Sequence, residues 1–177
     1  MDDVLDRLDR AIKAYLTSID IDALTDAEHR RLSEVVAFTT NIEHAGDILE
    51  KSLMPLAGKR IKRGVSFSDA SADEIRQMIE RLIGNTRAAA AVFMTDDAGA
   101  ARQLIGEKEV FRDLETRATE AQFVRRDGRS ESVEAGRLHL DIVRDLKRVN
   151  AHLSATAYPV LEGRGELLTS RLRQDAG

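Results

Sequence analysis

The chain has 177 residues, of which 33% are charged and 4% aromatic, with no Trp and two Pro; this is the profile of one helical domain with room for a substantial core. Its net charge is −4 with acids and bases interspersed, so no basic stripe is present to neutralise phosphates, and nucleic acid is not expected as a partner. The absence of cysteine excludes a disulfide framework, thiolate metal sites and cysteine nucleophiles, and a cytoplasmic location is expected.

No run of about 18 apolar residues offers a membrane span, and the opening MDDVLDRLDR lacks the features of a signal peptide. A first helix is predicted from Asp2 to about Ile19, where Val4, Leu5, Leu8, Ile12, Tyr15, Leu16 and Ile19 recur at three- and four-residue steps. Thr25 and Glu28 form a capping box that opens a second helix. Its seam runs Leu32, Val35, Thr39, Ile42, Gly46, Leu49, Leu53 and Leu56, and Pro55 is expected to kink it.

The stretch AGKRIKRGVSFSDAS, small, basic and rich in Gly and Ser, reads as a linker. Ser71 with Glu74 reads as a second capping box. The third helix then carries Ile75, Ile79, Leu82, Thr86, Ala89 and Phe93. Asp96 or Asp97 caps a fourth helix with a stripe of Leu104, Glu107, Phe111, Leu114, Ala118 and Ala121. RRDGRSES is a turn around Asp-Gly. A fifth helix follows with Ile142, Leu146, Val149, Leu153, Thr156 and Val160, and the terminal residues are predicted as a short helix and a frayed tail. Five long helices with short connections and no strand pattern define an all-α, antiparallel helical bundle.

The chemistry concentrates in carboxylates. Glu43, Asp47 and Glu50 stack at helical spacing around Gly46, although like charges four residues apart and a mid-helix glycine both weaken a helix. A divalent cation would compensate, because hard cations gather carboxylate oxygens. Glu109 and Asp113 repeat the acid pair on the fourth helix, and Glu107 lies within its apolar stripe; pairing with Lys108, Arg112 or Arg117 on a solvated face is the alternative. His29 belongs to a helix start, and His44 stands beside Glu43. No pair of Glu-x-x-His helices is present, so a ferritin-like di-iron centre has no ligand set. Glycine-rich phosphate loops, GxSxG and HExxH are also missing, and no enzymatic activity is expected.

TTNIEHAGDILEKSL resembles the signature of the PhoU family, with Ile42, Glu43, His44, Ala45, Gly46 and Asp47 on its metal-cluster helix. RDLKRVNAHLSATAYPVLE resembles the equivalent helix of a second repeat, with Lys147 and Ala151 where the signature has acids, and GEKEVFRDLETRATEAQF is similar to the acidic middle helix. More specifically, the chain resembles the PhoU-like region of bacterial sodium-dependent phosphate cotransporters. The resemblance implies two three-helix repeats with the first helix of repeat one missing. Residues 1–58 form the incomplete repeat, 59–70 the linker, 71–165 the complete repeat and 166–177 the tail. It implies a regulatory role toward phosphate transport, a membrane transporter domain as partner in the same or another chain, and a divalent or trivalent metal as cofactor held by Glu43, Asp47, Glu109 and Asp113. It places the first-helix partners of Glu43 and Asp47 among Asp2, Asp6 and Asp9, and gives Lys147 as a fixed charge able to pair with Glu109 or Asp113. The groove left by the missing helix makes a homodimer the expected assembly.

Overall fold

The computed structural model describes residues 2–127 and 132–166. The Asp-Gly turn, the tail from residue 167 onward and the side chain of Asp2 lie outside the described residues. Helices account for nearly all of the described chain: α1 (Asp2–Thr17), α2 (Asp26–Ile48), α3 (Met54–Arg63), α4 (Asp69–Thr95), α5 (Ala98–Asp127), α6 (Val133–Ala155) and the short α7 (Tyr158–Glu162). α2 and α3 are one continuous rod, so the bundle has five long helices, as the periodicity predicts.

Local chemistry sets most boundaries. The Thr25 hydroxyl accepts from the Glu28 N–H at 3.4 Å while the Glu28 carboxylate accepts from the Thr25 N–H at 2.8 Å, completing the capping box that starts α2. Ahead of Pro55 the rod widens into a π-helical turn, Leu49–Leu53, in which the Met54 N–H reaches back to the Leu49 carbonyl. Pro55 has no N–H and crowds the carbonyl four residues earlier, and the wider turn accommodates both. The rod then continues through residues 59–63, which composition assigned to the linker. It stops at Gly64, where φ is 61° and the Val65 N–H caps the Arg60 carbonyl at 3.0 Å.

α4 also begins earlier than expected. Ser68 is its N-cap and accepts from the Ser71 N–H at 3.2 Å; Ser71 is buried, and Glu74 faces His139 instead, with 3.0 Å between Oε2 and Nε2. Between α4 and α5 the two aspartates divide the work. Asp96 takes the left-handed conformation that ends α4, φ 54°, and Asp97 accepts from the Ala100 N–H at 2.9 Å to start α5. Backbone hydrogen bonds from Ala100 and Gly99 hold the Asp97 carboxyl below its ordinary value. The predicted fifth helix divides in two, because Pro159 follows and α6 closes in a tight turn at Thr156 and Ala157.

α6 is the centre of the bundle and packs against α5, α4 and α2 on different sides. Leu138, Ile142, Leu146, Val149 and Leu153 meet Met78 and Leu82 of α4, Phe111 and Ala118 of α5, and Ala45 and Ile48 of α2. A second core of small residues, including Ala89, Ala98, Ala101 and Ala157, lets α4, α5 and α7 approach closely. The buried seam of α4 is Ser71, Met78, Leu82, Asn85, Ala89 and Val92. The predicted seam shares only Leu82 and Ala89 with it, since Ile79 is 43% exposed, Thr86 is exposed and Ile75 and Phe93 are half-buried.

A polar layer fixes the register of α4, α5 and α6. The Asn85 amide donates to Asn150 Oδ1 at 2.8 Å and to the Glu107 carboxylate at 3.0 Å, while the Asn150 amide donates to the Glu107 carbonyl at 3.1 Å. Arg81 closes the layer with two hydrogen bonds to Glu107, at 2.7 and 3.0 Å. Truncation in N150A leaves buried amide and carbonyl groups unpaired, so it should cost about 1–3 kcal/mol in urea denaturation; a midpoint matching the parent protein would contradict this role.

Candidate metal site

α1 packs chiefly on α2, and their antiparallel contact brings Asp6 to Glu43 and Asp47. One carboxylate oxygen from each lies within 4.8 Å of the others. Glu43 and Asp47 are one turn apart and so share a face of α2. Their side chains are 19% and 32% exposed, so the oxygens gather at the margin of the helix contact. Lys51, one turn along, pairs with Asp47 and offsets part of the charge, and His44 Nε2 stands 3.5 Å from Glu43 Oε2. One turn beyond Asp6, Asp9 is buried with Oδ2 at 2.8 Å from Lys13. Its Oδ1 has no hydrogen-bond partner among the described residues. An all-oxygen donor set from two helices, with an orphaned buried carboxylate oxygen beside it, fits a hard cation.

A histidine string leads from the acids into the bundle. The His44 ring meets the His152 ring edge-on, centroids 5.1 Å apart, and His152 Nδ1 lies 3.1 Å from Asn41 Oδ1. Burial, reinforced by repulsion from His44 and Arg148, lowers the pKa of His152.

The acids of α5 are arranged differently. Glu109 and Asp113 are exposed, Glu109 pairs with Arg112, and among the described residues neither joins a group of three potential ligands. Glu107 is enclosed by Arg81 and Asn85. Burial pushes its carboxyl up, but the hydrogen bonds and charge of Arg81, with Asn85, outweigh that and hold it below the ordinary value. Lys147 turns to Glu115 rather than to Glu109 or Asp113. Glu115 escaped the sequence reading because it breaks no pattern; its signal is its position four residues after buried Phe111. Of the first-helix acids considered, Asp6 meets the α2 pair and Asp9 pairs with Lys13, while the side chain of Asp2 lies outside the described residues. Asn41 and His152, 111 positions apart, carry no sequence signal of their contact.

These features define an all-helical bundle with a candidate cation site between its first two long helices. The chain is similar to the "Putative inorganic phosphate export protein YjbB" of Salmonella typhimurium, with 35% identity over 153 residues, 86% of this chain and 28% of the relative. Proteins of the same name from Escherichia coli O157:H7 and Escherichia coli K12 are 33% identical over the same shares. The chain thus spans just over a quarter of the length of these curated relatives. No family model matches it, and no solved structure matches it. Among the described residues no helix is long and apolar enough to cross a membrane.

His152 gives the site a pH dependence with a definite sign. Its folded pKa lies below the unfolded value, so the unfolded chain takes up the proton first and stability falls as pH drops through about 6.5. H152Q, which keeps a polar group without the titration, should flatten the fall in thermal midpoint between about pH 7 and pH 5. Parallel pH profiles for the two proteins would contradict it.

Proposed function

We propose that the chain is a non-catalytic, PhoU-like regulatory domain of a phosphate transport system, and that it binds a divalent or trivalent cation through Asp6, Glu43 and Asp47. The convergence of three carboxylates from two helices carries the cation reading. The relatives' printed names support phosphate export as the setting. The PhoU-like signature around Glu43 and Asp47 supports the regulatory role and the narrower assignment to the cytosolic side of a sodium/phosphate symporter. In that assignment the partner is a membrane transporter domain, in the same chain or another, and a homodimer is a further mode of assembly.

A second reading is favoured by a specific observation: Lys51 already pairs with Asp47, so the domain could be an interaction bundle that holds no ion. Metal titration separates the two. Chelator-treated protein should take up one Mn²⁺ or Zn²⁺ per chain and gain about 2–3 kcal/mol at one hundred times the dissociation constant. D47N and E43Q should lose that gain while E109Q/D113N retains it. Failure of any of manganese, zinc, iron or calcium to bind stoichiometrically supports the interaction bundle.

A further inference from the structure

Residues 59–63 read as linker in the sequence, yet they form the last part of α3, and helical geometry changes what they can do. Met54, Ala57 and Ile61 recur at three- and four-residue steps on the outer face of this helix. Met54 and Ile61 are 67% and 79% exposed. Beside them an open groove of about 570 Å³ separates α3 from α4, where Ile79 and Ile83 continue the apolar surface.

Four cations, Lys59, Arg60, Lys62 and Arg63, fall within five consecutive residues of α3, on a chain whose net charge is −4. At about 100° per residue Arg60 and Lys62 flank the ridge, whereas Lys59, half-buried, and Arg63 lie on the opposite side, toward Glu134. Few acids oppose them. Glu134 of α6 pairs with Arg63 and also feels the charge of Lys59. Arg60 lies over the Phe67 ring, 4.9 Å from its centroid, and Lys62 is exposed. On the α4 side Asp73 pairs with Arg76, Glu74 faces His139, and Glu80 stands between Arg76 and Arg87 in sequence. The α3 cluster with Glu134 therefore keeps a local excess of three positive charges.

An exposed apolar ridge set among cations has the composition of an interfacial helix. Its apolar side chains enter the boundary between headgroups and acyl chains, and the long basic side chains extend so that their charges stay at phosphate depth. We infer that α3, with the Ile79 and Ile83 margin of α4, is a docking surface for an anionic lipid bilayer. The surface belongs to this chain itself and is independent of cation binding at Asp6, Glu43 and Asp47. Basic residues supply the attraction, and Ile61 and Met54 supply the insertion.

The test is sedimentation of the 177-residue chain with vesicles of phosphatidylcholine alone and of phosphatidylcholine mixed with phosphatidylglycerol. The chain should sediment with the mixed vesicles and not with phosphatidylcholine alone, and added salt should release it. K62Q should lower partitioning about fivefold, and I61S should also lower it, both with the parent's thermal midpoint because Ile61 and Lys62 are exposed. No sedimentation with the mixed vesicles, equal sedimentation with both compositions, or full binding by both variants would overturn the inference. So would displacement by inorganic phosphate at constant ionic strength, which would make α3 a phosphate site instead.

Discussion

The contact between α1 and α2 forces three carboxylates into one small volume, and the functional reading depends on how that charge is neutralised. At the separation of these oxygens each like pair repels by about 1 kcal/mol in water and several times that at a partly buried position. α1 packs chiefly on α2, so it has little other contact to offset the repulsion. Lys51 relieves part of it from the α2 side. A bound cation would relieve the rest and draw the two helices together by the same contacts.

The remainder of the bundle solves the same electrostatic problem with its own side chains. Glu107 is held by Arg81 and Asn85, Glu115 by Lys147, and Asn150 spans Asn85 and the Glu107 backbone. These pairings join α4, α5 and α6 at defined heights, and the apolar seam of α6 fills the space between them. Buried polar groups in such a layer constrain register because any slip leaves donors and acceptors unpaired. The protein thus combines a self-neutralised unit of α4 to α6 with an acidic contact at α1 and α2.

Helix type was legible in α6, where Ile142, Leu146, Val149 and Leu153 are buried as their three- and four-residue steps require; in α5 the amphipathic contrast is weak, yet Leu104, Phe111 and Ala118 are buried at seven-residue intervals. The Thr25–Glu28 box was readable for an equally local reason. α4 was misread because it is apolar on two sides, one facing the core and one lining the groove, and periodicity does not rank two such faces. Residues 59–63 looked like linker through their basic content and the glycines on either side of them, Gly58 and Gly64. Gly58 is tolerated on the exposed face, and Gly64 alone has the left-handed backbone that stops the helix.

At the candidate site, Glu43 and Asp47 were visible because stacked like charges around a glycine demand compensation. Asp6 could be narrowed to three neighbours along its helix, but only the crossing of α1 over α2 selects it. The same spacing at Glu109 and Asp113 carried less information, since a pair within one helix does not specify what faces it. Glu115 lies about 200° around α5 from Asp113, which is why Lys147 meets the former and not the latter. The most direct test is NMR of ¹⁵N-labelled protein during addition of substoichiometric Mn²⁺. Paramagnetic broadening confined first to the amides around Asp6, Glu43 and Asp47 is the predicted result, whereas broadening centred on Glu109 and Asp113, or spread evenly over the exposed acids, would contradict the account.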